Sequence, residues 1–138
     1  MPTAQEQPLG ELALRTLAMP ADTNPQGDIF GGWLLAQMDI TGGMVTHLFS
    51  KGRVATVAID SMVFHQPVKV GDILCCYAHM EKTGRTSMTL RIQAWIIRGA
   101  GGERVKVTEG LFTYVAIGPD GRPRPIDQIC APARADRD

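Results

Sequence analysis

The stretch from Trp33 to Phe49 most constrains what this chain can fold into, because it predicts one long helix that is apolar on nearly every side. Four apolar residues recur at helical steps along one face: Leu34, Met38, Val45 and Leu48. Three more cover much of the remaining surface: Leu35, Ile40 and Met44. A helix of this kind is buried rather than exposed. We therefore predict that the rest of the chain packs around it.

Asp39 is the only acidic residue in that helix, and no Lys or Arg occurs between Asp28 and Ser50. Asp is unfavourable inside helices, and an unpaired carboxylate is costly to bury. Gly42 and Gly43 follow one turn later, where missing side chains allow another chain or a ligand to approach. This combination is typical of a reactive site. A structural acid that accepts hydrogen bonds from the backbone of a neighbouring loop explains the same residues, and residue chemistry alone leaves both interpretations open.

Composition and charge exclude several classes of protein. The chain has 138 residues, of which 44% are apolar and 20% charged, and this is ordinary for one soluble domain. The formal net charge of zero disfavours a nucleic-acid or membrane partner. The N-terminus lacks the basic start and apolar run of a signal peptide, and Cys75, Cys76 and Cys130 lack the spacing of a zinc site. We predict a cytoplasmic protein with reduced thiols and no metal.

The hydrophobic pattern predicts an α+β fold with one strand before the helix and four after it. The expected strands are Glu11–Met19, Val54–His65, Ile73–Glu81, Thr86–Ile97 and Arg104–Ile117. Their short, glycine-containing links imply an antiparallel sheet. Because one sheet cannot cover a helix that is apolar all round, we also predict a homo-oligomer. The domain spans residues 10–118, between a flexible arm at 1–9 and a mostly mobile tail at 119–138.

Several motifs resemble those of a known family. The run from Thr16 to Trp33, TLAMPADTNPQGDIFGGW, is followed by Gln37-Met38-Asp39. Shorter matches are GRVATV at 52–57, SM at 61–62, VGD at 70–72 and GRTS at 84–87. Together they resemble the YciA-type acyl-CoA thioesterases of the hotdog-fold superfamily. The resemblance implies a hotdog fold, in which a curved antiparallel sheet wraps a long central helix. It also implies a dimer with a continuous sheet that assembles further into a hexamer, a trimer of dimers.

The same resemblance implies hydrolysis of acyl-CoA to free coenzyme A and a carboxylic acid. Asp39 is then the carboxylate that activates water or attacks the carbonyl itself. Backbone N–H groups at Gly31 and Gly32, at the positive end of the helix, suit polarisation of the thioester carbonyl. Asn24 is the polar residue that related enzymes use opposite the acid, across the dimer interface. From their chemistry alone, the glycine pair is equally a tight turn and Asn24 equally a turn former, while Asp28 is interpreted as a cap of the helix or loop.

Coenzyme A carries phosphates, so the site needs local cations despite the zero net charge. The resemblance places Arg85 first, on a turn with Gly84, Thr86 and Ser87, because a guanidinium fork and nearby hydroxyls suit phosphate oxygens. Arg53, just beyond the helix, is the second candidate. Taken alone, each arginine is more typical of a solvated surface charge. No cofactor is implied, since coenzyme A is part of the substrate and a product.

Two other functions fit the same fold. A non-catalytic acyl-CoA sensor would use the same cleft but has no use for an acid that faces a thioester. Hotdog dehydratases pair a loop histidine with the helix acid, whereas His47, His65 and His79 all lie outside the glycine-rich approach to the helix. The sequence leaves the acyl chain length open, because five large side chains either line an adaptable pocket or belong to the core: Trp33, Met38, Met44, Met62 and Phe64.

Overall fold

The computed structural model describes residues 6–126, and within that range one long helix lies against one five-stranded sheet. The elements, in chain order, are β1 (Glu11–Leu17), a 3-10 turn (Pro20–Asp22), α1 (Gly31–Ser50), β2 (Val54–Asp60), β3 (Ile73–Thr83), β4 (Ser87–Arg98) and β5 (Glu103–Ala116). Every pairing between these strands is antiparallel. The predicted α+β class, with a long helix packed on a curved antiparallel sheet, is confirmed.

The strand order β1-β3-β4-β5-β2 places the three longest strands at the centre of the sheet. Side chains from these strands form the buried core between sheet and helix: Leu74, Cys76, Met88, Leu90, Ile92, Ile96, Val107 and Phe112. The edge strand β2 pairs with β5, and Thr56 lies directly opposite Tyr114. This register determines which strand side chains reach the middle of the helix.

The helix contacts the sheet through a stripe that contains small residues as well as apolar ones. Its buried residues are Leu34, Met38, Thr41, Gly42, Thr46 and Ser50. The prediction that Leu48 shares this buried face is wrong, because the smaller residues turn toward the sheet and leave Leu48 on the flank, 74% exposed. Ile40 and Met44 are exposed as well. One apolar side of the helix is therefore uncovered in the single chain, as the predicted homo-oligomer requires.

Some element boundaries differ from those predicted. Strand β2 ends at Asp60 rather than at His65, because Ser61 adopts a left-handed backbone conformation (φ 62°) that a strand cannot continue. Strand β3 continues through Thr83, two residues beyond the predicted end at Glu81. Strand β1 ends two residues earlier than predicted. These differences leave the number and type of the elements unchanged.

Both ends of the described range pack on the fold. Ile126 is buried, and the N–H of Leu9 donates to Gln93 Oε1 at 3.0 Å. Most of the predicted flexible arm and mobile tail, the segments 1–5 and 127–138, lies outside the description, and the mobility of both stays a prediction. No helix within the described range is long and apolar enough to cross a membrane.

Candidate active site

Asp39 lies in the middle of α1, over the seam between β2 and β5. Its Oδ1 accepts a hydrogen bond from the Thr56 hydroxyl at 2.7 Å and another from the Tyr114 hydroxyl at 2.9 Å. No residue of the described chain donates a hydrogen bond to Oδ2. The donors are thus strand hydroxyls, not the loop backbone groups that a structural acid was expected to use. The described chain therefore holds the carboxylate through one oxygen.

Tyr114 is buried, with 1% of its surface exposed, and its hydroxyl also lies 3.1 Å from the carbonyl oxygen of Asp39. Gly42 makes room for it, because a Cβ at this position would lie 2.1 Å from the hydroxyl oxygen. The close approach predicted at Gly42 is therefore made by a side chain of the same protein. Burial, with the adjacent Asp39 carboxylate, raises the pKa of the Tyr114 phenol far above its usual value, so the hydroxyl remains a donor.

The N-terminus of α1 presents backbone N–H groups that have no acceptor within the described chain. Trp33 and Leu34 both donate to the carbonyl of Phe30, at 3.1 and 3.3 Å, whereas no bond uses the N–H of Gly31 or Gly32. The cap residue Phe30 has no side-chain oxygen to satisfy them. A Cβ at Gly32 would meet nothing within 4 Å, so a ligand can approach this backbone. The arrangement is suited to a developing negative charge.

An apolar cavity of about 220 Å³ adjoins this helix end. Its walls come from the first turn of the helix and from the segment before β3: Ile29, Phe30, Gly31, Leu34, Phe64, His65, Gln66, Pro67 and Val68. Among the side chains suggested for an acyl pocket, Phe64 lines the cavity. By contrast, Met38 belongs to the core and Met44 is exposed. Trp33 and Met62 pack against the core and do not line this cavity.

Asn24 shapes its own loop. Its side-chain oxygen accepts hydrogen bonds from the N–H groups of Gln26 (2.9 Å) and Asp28 (3.1 Å), and its N–H donates to the carbonyl of Asp28 at 2.7 Å. These bonds leave the side-chain NH₂ group without an acceptor in the described chain. No hydrogen bond joins Asn24 to Asp39 within one chain. The turn-forming role of Asn24 is thus visible, and its amide remains available to donate elsewhere.

Asp28 ties this loop to the segment before β3. Its carboxylate pairs with the ammonium group of Lys69, and the next residue, Ile29, donates its N–H to the carbonyl of Val68 at 3.0 Å. The helix cap is Phe30, so Asp28 does not cap the helix. The ion pair instead holds the Asn24 loop beside the cavity.

The basic candidates gather at the opposite end of the helix. Arg53 precedes β2, and Arg85 lies with Gly84, Thr86 and Ser87 in the link from β3 to β4. Strand register brings these links to one end of the sheet, since β5 ends beside the start of β2 and the start of β4. We call this region, with Arg53 and Arg85, the basic end of the sheet. Within the described chain, neither guanidinium group has a hydrogen bond or an ion pair. They are available to an anionic ligand.

Sequence reasoning missed three residues, two that contact Asp39 and one at the end of α1. Thr56 and Tyr114 hold the Asp39 carboxylate, and the only signal for them was that Thr56 falls within the GRVATV match. Arg124, within the tail predicted at 119–138, is the third: its guanidinium group donates to the carbonyl of Ser50 at 3.1 Å, at the end of α1. The described residues contain no cluster of three or more His, Cys, Asp or Glu side chains that could hold a metal.

Comparison with known proteins gives a consistent result. The model of the thioesterase superfamily matches residues 26–102. The acyl-CoA thioester hydrolase YciA of Salmonella typhimurium is 54% identical over 129 residues, which cover 91% of this chain and 97% of the relative. Cj0915 of Campylobacter jejuni, described as a hexameric hotdog fold thioesterase, superposes with a TM-score of 0.86. It is 37% identical, and the match covers 94% of this chain and 99% of that one.

A more distant structure bears on the site. The acyl-CoA hydrolase of Staphylococcus aureus, solved with coenzyme A as an Asn-to-Ala variant, is 26% identical with a TM-score of 0.77, over 90% of this chain and 81% of that one. An Asp-to-Ala variant of the same enzyme was also solved. The predicted hotdog fold and the predicted family are both confirmed. The chain belongs to the thioesterase superfamily and, within it, to the YciA family of acyl-CoA thioester hydrolases.

Proposed function

We propose that this enzyme hydrolyses acyl-CoA with Asp39 as its catalytic acid–base or nucleophilic group. The observation that carries this proposal is the half-held carboxylate: Oδ1 takes two hydroxyl donors, and Oδ2 takes none from the described chain. The relatives named above supply the reaction class. Within the described chain no cation pairs with this carboxylate, and a positioned carboxylate is a group that can act as a general base toward water.

The reaction breaks the C–S bond and forms a C–O bond. In one route, Asp39 removes a proton from water while the water oxygen attacks the thioester carbonyl carbon. The tetrahedral intermediate then expels the coenzyme A thiolate, which takes up a proton. In the other route, Oδ2 attacks the carbonyl carbon directly, and the coenzyme A thiolate leaves and takes up a proton. Water then hydrolyses the resulting anhydride to the carboxylic acid and the regenerated Asp39 carboxylate. Both routes place negative charge on the carbonyl oxygen, and backbone N–H groups such as those of Gly31 and Gly32 are suited to stabilise it. Because roughly 10 Å of helix separates this pair from Asp39 in one chain, we assign the glycine pair of a second copy to this role.

A single turnover in water labelled with heavy oxygen detects an anhydride that opens at the aspartyl carbon. Attack by water on the thioester, or on the acyl carbon of an anhydride, places the label only in the released carboxylic acid. An anhydride opened at the aspartyl carbon places it in the peptide that contains Asp39. Mass spectrometry of the product and of the digested protein reads both outcomes.

We assign Asn24 to the site of a second copy of the chain. It makes no hydrogen bond to Asp39 within one chain, and its amide remains a donor. In the Staphylococcus aureus enzyme, the substituted Asn and Asp lie fifteen positions apart, the spacing of Asn24 and Asp39 here. The exposed apolar side of α1 provides a surface for this contact, and the related Cj0915 is hexameric. The proposed assembly is a dimer built into a hexamer, a trimer of dimers.

Coenzyme A then extends from the reacting carbonyl toward the basic end of the sheet. Arg85 is assigned to its phosphates, with Gly84, Thr86 and Ser87 shaping the turn, and Arg53 is the second contact. The support is that both guanidinium groups are unpaired within the described chain, and that both arginines lie at the same end of the sheet. Coenzyme A is substrate and product, so the proposal includes no separate cofactor.

The test is release of free thiol from a panel of acyl-CoA esters, with the wild type and Asp39→Ala measured together. We expect release by the wild type alone, and retained coenzyme A binding by the variant in calorimetry. Tight acyl-CoA binding without release by either protein would support the sensor function instead. Hydration of an enoyl-CoA without thiol release would indicate a dehydratase.

A further inference from the structure

We propose that Tyr114 is a positioning residue, whose hydroxyl orients the Asp39 carboxylate so that Oδ2 is the oxygen presented to the thioester. This inference rests on the proposed hydrolysis. It assigns a role to a buried residue of β5. Tyr114 acts through Asp39 and is not itself placed against the substrate.

The hydroxyl has one proton and two acceptors within reach. Asp39 Oδ1 lies at 2.9 Å and the Asp39 carbonyl oxygen at 3.1 Å. An ionised carboxylate is the stronger acceptor, because bonds to charged groups are about twice as strong as neutral ones. The proton therefore lies mainly toward Oδ1. The contact with the carbonyl oxygen keeps the phenol over the same helical turn.

The surrounding packing leaves the ring little freedom. Tyr114 is almost fully buried, and Gly42 on the next helical turn is the space into which its hydroxyl fits. Thr56, its direct partner across β2 and β5, donates to the same carboxylate oxygen. Two donors fixed by one strand pair thus hold Oδ1. Rotation of the carboxyl group that would exchange its two oxygens breaks both bonds.

A reactive group held in one orientation needs less reorganisation at the moment of attack. Removing one of its two supports should slow the chemical step without affecting how tightly the substrate binds. This is the kinetic pattern of a positioning residue, because Tyr114 contacts the acid and not the proposed coenzyme A groups.

The experiment compares Tyr114→Phe with Tyr77→Phe as a matched control. The Tyr77 hydroxyl accepts a hydrogen bond from Arg104, so this change removes a tyrosine hydroxyl remote from Asp39. We expect Tyr114→Phe to lower kcat about tenfold, the effect of losing one hydrogen bond to a charged group, and to leave KM within about twofold. Tyr77→Phe should retain both constants.

A folded Tyr114→Phe with wild-type kcat overturns the proposal, and so does a change in KM alone. If Tyr114→Phe fails to fold, Gly42→Ala provides the answer, because its Cβ displaces a hydroxyl that is still present. Wild-type kcat in folded Gly42→Ala would then overturn the role. A wild type that releases no thiol overturns the hydrolase assignment itself. A lower kcat in Tyr114→Phe, with wild-type kcat in Tyr77→Phe, supports the positioning role.

Discussion

Two acids of this protein, Asp39 and Asp72, show how the surroundings of a carboxylate decide what it can do. Asp72, before β3, is 3% exposed, and Arg98 donates to both of its oxygens, at 2.9 and 2.6 Å. The N–H of Lys69 adds a third bond at 2.8 Å. Asp39 has only neutral donors, both on one oxygen. Arg98 thus bonds to both oxygens of Asp72, as expected for a structural acid, whereas one oxygen of Asp39 has no donor within the described chain, as the proposed reaction requires.

Electrostatics support the same distinction. Burial by itself raises the pKa of Asp72, but the Arg98 and Lys69 hydrogen bonds and the positive charges of both residues together lower it below its ordinary value. The ion pair anchors the end of β4 to the loop before β3, where the N–H of Ala18 also donates to the Asp72 carbonyl. Asp72 therefore joins three segments of the fold.

Substituting Asn for each acid tests the comparison most directly. We expect Asp39→Asn to lower kcat by about 100-fold or more, because an amide can neither accept a proton from water nor attack a thioester. Its melting temperature should stay close to that of the wild type, since Thr56 can still donate to the amide oxygen. Thiol release and thermal melting measure the two effects. An active Asp39→Asn enzyme would remove the distinction between the two acids.

Asp72→Asn should show the opposite pattern. We expect a loss of about 2 kcal/mol in the free energy of unfolding, because charge-assisted bonds from a guanidinium group are lost at a buried position. The variant that remains folded should keep its kcat. Urea denaturation measures the loss, with Glu81→Gln as control. Glu81 pairs with Arg91 in a partly exposed position, where an ion pair contributes less than about 1 kcal/mol. Equal losses in both variants would contradict the anchoring role.

The sequence predicted the fold well because its main signals are local. Helical and strand periodicity, and turn residues between the segments, were sufficient for one helix and five strands in the observed order. The error at Leu48 arose because periodicity marks an apolar face but not which part of it the sheet covers. The end of β2 depended on the backbone of Ser61, which no pattern in the sequence indicated.

The candidate site was predictable only in part. Asp39 stood out as the single acid on an apolar helix, and the family resemblance gave it a role. Its two donors come from strands far along the chain, so they depend on strand register and on the position of the helix over the sheet. The proposed role of Asn24 depends on a second copy of the chain, which no single-chain pattern can position.

Arg85 and Arg98 form a second contrast. Arg98 pairs with Asp72 inside the protein, whereas Arg85, at the basic end of the sheet, is proposed to bind a phosphate of the substrate. We expect Arg85→Ala to raise KM about tenfold with little change in kcat, because the lost bond to a phosphate would act equally in the ground and transition states. Arg122→Ala is the matched control, since this exposed residue follows β5 at the same end of the sheet. Equal effects of both variants would indicate general attraction of an anion rather than a local phosphate contact.

The smallest expected effect concerns acid pH. Because the pKa of Asp72 is lowered on folding, its contribution to stability is complete above its unfolded-state value and is lost as the pH falls through the folded-state value. The stability difference between the wild type and Asp72→Asn should thus be constant above about pH 5 and shrink below about pH 4. Lys106 also lowers the pKa of Glu109, but both proteins contain this residue, so its effect cancels in the difference. A difference that persists unchanged to pH 3 would mean that packing at position 72, rather than its charge, stabilises the fold. Asp72 would then no longer be the charged counterpart of Asp39, and the contrast between the two acids would have to rest on activity alone.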